Sequence, residues 1–198
     1  MKRLTLFFTI IAIAASFAGH ASAAGDDPVI YFEIPKGLFA EACGEKVWSG
    51  VTARFAGVKD LRERKELGIQ TKGDEEVQIH SQPAIEIVLN DALRELFTEC
   101  GMALTDRVSE EGTVISADLR EFFVDVVKSM VSGKSSAQSL ITFHVKGAGR
   151  VSSIDVGMEV DSKDVRRKGV KAVGRAANRL LAETIKAIPQ NRYMREAR

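Results

Sequence analysis

Side chains able to do chemistry are few in this chain, and their spacing suits no familiar reaction. It carries three histidines in 198 residues, and His20 falls in an N-terminal stretch read below as a leader. Of the other two, neither His80 nor His144 has a second ligand at HxH, HExxH or cysteine–histidine spacing, so no metal site is expected. There is no G-x-S-x-G turn to expose a nucleophilic serine, no phosphate-cradling P-loop and no dinucleotide-binding glycine pattern. Glu110 and Glu111 precede Gly112 and read as a solvated turn rather than an acid–base pair. His144 lies on the polar side of an alternating stretch, and His80 precedes a helix entry at Ser81. The expectation is a non-enzymatic protein with no cofactor.

Two charged patterns remain as candidate binding residues. Arg167, Lys171, Arg175 and Arg179 recur every four residues, with Arg166 and Lys168 beside the first. On a helix they form one slowly drifting basic stripe. Its bland reading is a solubilising face; its functional reading is contact with anionic lipid, glycan phosphates or an acidic protein face. The second pattern is Asp60-x-Arg62 followed by Leu67-Gly68. Asp60 and Arg62 can brace a loop by pairing with each other, or can recognise a partner together with Gly68.

Cys43 and Cys100 are the only two cysteines. In an oxidising compartment one intramolecular bridge is the expected state. Two small buried hydrophobes are the alternative.

The compartment is read from the start of the chain. Lys2 and Arg3 lead an apolar run from Leu4 to Ala18, and Ala21-Ser22-Ala23 offers small residues at a cleavage site. That is the order of a secretory signal peptide over residues 1–23. No cysteine follows it to accept a lipid. Loss of Lys2 and Arg3 takes the formal net charge from +1 to about −1. Balanced charge and export exclude nucleic acid as the partner, and no second long apolar run exists to span a bilayer. A periplasmic protein, peripheral to the outer membrane or free, is expected.

These residues must be positioned by the elements of one domain. Residues 24–46 are read as an extension with a single strand (Val29 to Ile34), residues 47–189 as the domain, and 190–198 as a tail. Val47 to Phe55 is a strand, and Gly57 to Glu76 an exposed loop. The first helix is capped by Ser81, carries Ile85, Val88, Leu89, Ala92, Leu93, Leu96 and Cys100 on one stripe, and closes at Gly101. Strands follow at Met102 to Asp106 and Val114 to Val127, with a bulge near Glu121-Phe122. Ser129 to Ser139 reads as a polar hairpin tip. Alternation resumes over Ile141 to Val145 and Ile154 to Val160. Asp161 or Ser162 caps a last helix ending at Pro189. The order predicts an α+β fold: an antiparallel sheet with two main helices on one face, a two-layer sandwich.

The strand Val51-Thr52-Ala53-Arg54-Phe55, then Asp60-Leu61-Arg62 and Leu67-Gly68, resembles the strand, D-x-R and glycine pattern of YajG-type bacterial envelope lipoproteins. A helix ending in Cys100-Gly101-Met102, a strand, a hairpin and a C-terminal helix keep that family's order, over about residues 47–188. The resemblance implies an envelope component without an established reaction, and it carries over no catalytic residue. The resulting expectation is an exported protein that binds or scaffolds another envelope component. The alternative is a carrier holding a lipid or small ligand in a cleft between sheet and helices.

Overall fold

A computed structural model of the chain describes residues 28–72, 75–107, 112–128, 133–147, 149–163 and 170–196. The leader over residues 1–23, the Glu110–Glu111 pair, and Arg167 with Arg166 and Lys168 lie outside the described residues.

The elements run β1 (Val29–Ile30), α1 (Leu38–Cys43), β2 (Thr52–Asp60), β3 (Gly68–Lys72), β4 (Glu75–Ser81), α2 (Ile85–Glu99), β5 (Ala103–Leu104), β6 (Thr113–Lys128), β7 (Gly133–Gly147), β8 (Arg150–Lys163), α3 (Val170–Gln190) and α4 (Arg192–Glu196). The class is α+β, but the sheet is mixed, which corrects the antiparallel expectation. β2 runs parallel to β5 and β6, β1 to β4, and β3 meets β6 in parallel. The pairs β3–β4, β6–β7 and β7–β8 are antiparallel. Alternation reports which face a strand buries, not which way it runs. Direction follows from the connection: β2 reaches β6 through a hairpin and α2, a crossover long enough to return parallel.

The segment Gly57 to Glu76 is mostly not a loop. β2 continues to Asp60, and β3 and β4 form a hairpin, leaving residues 61–67 between β2 and β3. Among the described residues of that hairpin, Ile79 alone lies in the buried apolar core, so its alternation is too sparse to stand out among charges. Likewise β7 begins at Gly133, and Ser135 and Ser139 are buried within it. The Ser139 hydroxyl shares a 2.7 Å hydrogen bond with Thr184 of α3, which lets a serine sit on an apolar face. Asp161 and Ser162 belong to β8, not to a helix cap.

Ile115, Ala117, Leu119, Phe122 and Val124 of β6 are all buried. Keeping Phe122 in step with Leu119 needs one extra residue, and the β6–β7 register shifts between Leu119 and Glu121 to supply it. Beside these strands, the Phe97 ring of α2 meets Trp48, Phe55 and Phe143 edge-on at centroid distances of 5.3, 5.4 and 6.4 Å. α2 ends as its sequence predicts: Gly101 takes φ 92°, and Met102 N–H and Gly101 N–H close onto the Phe97 and Thr98 carbonyls. Its start differs. Ser81 remains in β4, and Gln82 N–H donates to the Ile30 carbonyl, so the helix begins only after Ala84.

Leu38, Phe39 and Cys43 from the N-terminal extension and Met194 from the tail are buried in the same cluster as the domain core. Two ties hold them. Cys43 and Cys100 form a disulfide joining α1 to the end of α2. Trp48 Nε1 donates to the Met194 carbonyl at 3.0 Å.

Candidate functional site

The Asp60-x-Arg62 motif occupies a gap in the sheet. β2 lies along one edge of β6 from Thr113 to Leu119, and β3 rejoins that edge at Val124. Leu61 N–H donates to the Leu119 carbonyl, and Val124 N–H to the Leu67 carbonyl. Between those points the neighbouring strand detours through residues 62–66, leaving the Phe122 carbonyl without a ladder partner. Arg62 fills the gap. Its Nη1 donates to the Phe122 and Glu66 carbonyls at 3.2 and 3.5 Å. Its Nη2 donates to the Lys65 carbonyl and Asp60 Oδ2 at 3.1 and 3.0 Å, and Nε to Asp60 Oδ1 at 3.0 Å. A guanidinium has five N–H donors, and all five are used inside the chain. Arg62 is 6% exposed.

Burial pushes the Asp60 carboxyl upward. Hydrogen bonds and charge from Arg62, with a further bond from Lys65, outweigh that and hold it below the usual carboxylate range. Gly68 completes the motif: a Cβ there would meet the Val124 carbonyl oxygen at 2.7 Å and Val173 Cγ1 of α3 at 2.9 Å. Asp60, Arg62 and Gly68 thus form one local construction, and Arg62 has no donor left for a partner.

The basic stripe lies elsewhere. Lys171, Arg175 and Arg179 are exposed on α3, and none pairs with an acid among the described residues. The same helix does pair a cation where an acid is in reach: Lys186 Nζ contacts Glu41 Oε1 of α1 at 2.8 Å. Along α3, Asn178 Oδ1 accepts from Glu33 N–H at 2.7 Å, and Ile30 packs beside Gly174. Residues 30–33 therefore run alongside one helical turn, and Tyr31 there is 65% exposed.

A third constellation assembles only in three dimensions. On β6, β7 and β8, Asp118 Oδ2 contacts His144 Nε2 at 3.0 Å, and His144 Nδ1 contacts Ser153 Oγ at 3.0 Å. The order Ser–His–Asp is that of a hydrolase relay. The contacts around it are those of the sheet. Arg120 Nη2 claims the same Asp118 oxygen at 3.1 Å, and the histidine sits between strands whose facing amides are engaged in the β6–β7 and β7–β8 ladders. We read the group as a cross-strand polar lock. Nearby, a groove of about 590 Å³ runs beside residues 61–64, lined by Leu61, Arg64, Phe123, Gln138 and Leu140. The Arg64 guanidinium stacks over Phe123 at 5.0 Å.

Among the described residues no group of histidine, cysteine and carboxylate side chains could hold a metal ion. No helix among them is long and apolar enough to cross a membrane.

A family model described as "Uncharacterized lipoprotein" matches residues 51–197. No curated protein matches the chain. Among solved structures, the chain is similar to a Xanthomonas campestris protein of the DUF330 family, at 13% identity and a TM-score of 0.51, covering 81% of this chain and 91% of that one. A hypothetical protein from Chlamydia trachomatis matches at 14% identity and a TM-score of 0.38, covering 71% and 96%. At 13% identity the likeness to the Xanthomonas protein concerns the fold alone.

Proposed function

The chain belongs to this uncharacterised lipoprotein family, the YajG family, and we propose that it is a non-enzymatic, envelope-associated protein that docks on an anionic lipid surface through the outer side of α3. The reading takes α2 and α3 as one layer over one face of the sheet, with α3 presenting its polar side away from the molecule. The observation that carries it is the series Lys171, Arg175 and Arg179, exposed and without an acidic partner among the described residues. Helix stability does not account for these cations: the helix dipole opposes Lys171, in the first turn of α3, by about 0.3–1 kcal/mol, and none of the three lies in the last turn, where the dipole would favour a cation. Near an anionic headgroup layer each is worth about 1 kcal/mol, enough together for reversible attachment. The exposed Tyr31 ring alongside suits the same interface.

The carrier alternative has less support. The space between sheet and helices is filled by the edge-on rings of Trp48, Phe55, Phe97 and Phe143, and the groove beside residues 61–64 opens on the surface.

Flotation with vesicles tests the docking. Binding to phosphatidylglycerol-containing vesicles, absent with phosphatidylcholine alone and lost as salt shortens the Debye length below about 8 Å, is the expected result. Equal binding to both compositions, or to neither, removes the lipid reading. Specific capture of one acidic envelope protein by the same face would replace the lipid with that partner.

A further inference from the structure

β8 is the last strand of its side of the sheet. It pairs with β7 from Arg150 to Lys163 and with no other described strand. Successive residues of an antiparallel strand turn their backbone groups to opposite edges. The Asp155 carbonyl accepts from Asn191 Nδ2 at 3.5 Å, so Asp155 faces outward. The β7–β8 register is unbroken, so Gly157, Glu159 and Asp161 face outward too. No backbone hydrogen bond to another described element engages those three.

Long, regular edges invite strand addition, and natural sheets blunt them with proline, bulges, lysines or a covering element. The β8 sequence has no proline, and its pairing has no irregularity. Its protection is acidic. Asp155, Glu159 and Asp161 are exposed on the open face, opposite the neutral Thr142, Gln138 and Ser136, and no described cation pairs with them. A second copy docked two-fold about Gly157 would set Asp155 opposite Glu159, a repulsive pair. A strand with cations at alternate positions would instead gain at every one of those carboxylates while satisfying the free backbone groups.

We propose that the outer edge of β8 is a strand-addition site for an extended segment of a partner protein carrying Lys or Arg at alternate positions. This goes beyond lipid docking and uses a different surface from the α3 stripe.

The probe is a fluorescent eight-residue peptide alternating Val and Lys, titrated by anisotropy into the full-length protein. Gly157→Pro removes one outward N–H and puts a ring in the incoming strand's path, while leaving the β7 ladder and all three carboxylates in place. It is expected to weaken binding by about tenfold or more. The double change Glu159→Lys with Asp161→Lys should reverse the preference toward a Val–Glu peptide. Should Gly157→Pro unfold the sheet, N-methylating alternate amides of the peptide applies the same block from the other side. Slowed amide exchange at Gly157 and Glu159 on peptide addition supports the site. Binding unchanged by Gly157→Pro and by N-methylation, no binding at all, or protection confined to other elements overturns it. Dimerisation of the protein through β8 does so as well.

Discussion

All five N–H groups of Arg62 end on acceptors within the chain, so truncating this side chain strands three carbonyls and a half-buried carboxylate. Arg62→Ala is therefore expected to cost about 2–4 kcal/mol in urea denaturation. Arg62→Lys should rescue little, because an ammonium cannot reach acceptors spread around a planar fork. A wild-type midpoint for Arg62→Ala would contradict the brace. Asp60 adds a pH signature. Its folded carboxyl titrates below the usual carboxylate range, so its contribution is fully present above that range and is lost as pH falls through the lower, folded value. Asp60→Asn should flatten that acid limb of the stability curve while lowering stability near neutrality. Ser153 tests the cross-strand reading of its cluster: a fluorophosphonate should not label it, and His144→Ala should cost no more than about 1 kcal/mol. Rapid labelling of Ser153, abolished by His144→Ala, would instead make the relay a real one. Sequence spacing made the Asp60–Arg62 pairing legible. It could not reveal the Phe122, Lys65 and Glu66 carbonyls, because the gap in the sheet exists only once β2 and β3 share an edge of β6.

Among the elements, α2 was the most legible, since its stripe from Ile85 to Leu96 and its Gly101 terminus are local features. α1 leaves no mark in the sequence: six residues from Leu38 to Cys43 are too few for a period to emerge. The β3–β4 hairpin was hidden by its charges. Two predictions belong at this scale. Gly68→Ala drives a methyl against the Val124 carbonyl and Val173, and overpacking there should cost about 1–3 kcal/mol by calorimetry. Breaking the Cys43–Cys100 bridge releases a sequence separation of 57 residues. Loop entropy puts its contribution at up to about 4 kcal/mol, so Cys43→Ser with Cys100→Ser should lower the thermal midpoint. An unchanged midpoint would show that α1 stays docked by packing alone.

Across the whole molecule, the order of weak motifs pointed to the family that the match over residues 51–197 establishes. Strand direction and the acidic edge of β8 stayed hidden, since both depend on which strands become neighbours. The formal net charge is only +1, so overall charge cannot drive attachment to an anionic surface. What can is its separation: cations on α3 without an acidic partner among the described residues, and carboxylates on the open face of β8. Vesicle flotation of two charge-matched variants tests this most directly. One is Arg175→Glu with Arg179→Glu on α3, and the other is Arg150→Glu with Lys146→Glu at the β7–β8 turn. Loss of anionic-vesicle binding in the α3 variant alone is the predicted result. Equal loss in both, or retention by the α3 variant, would contradict docking through that helix.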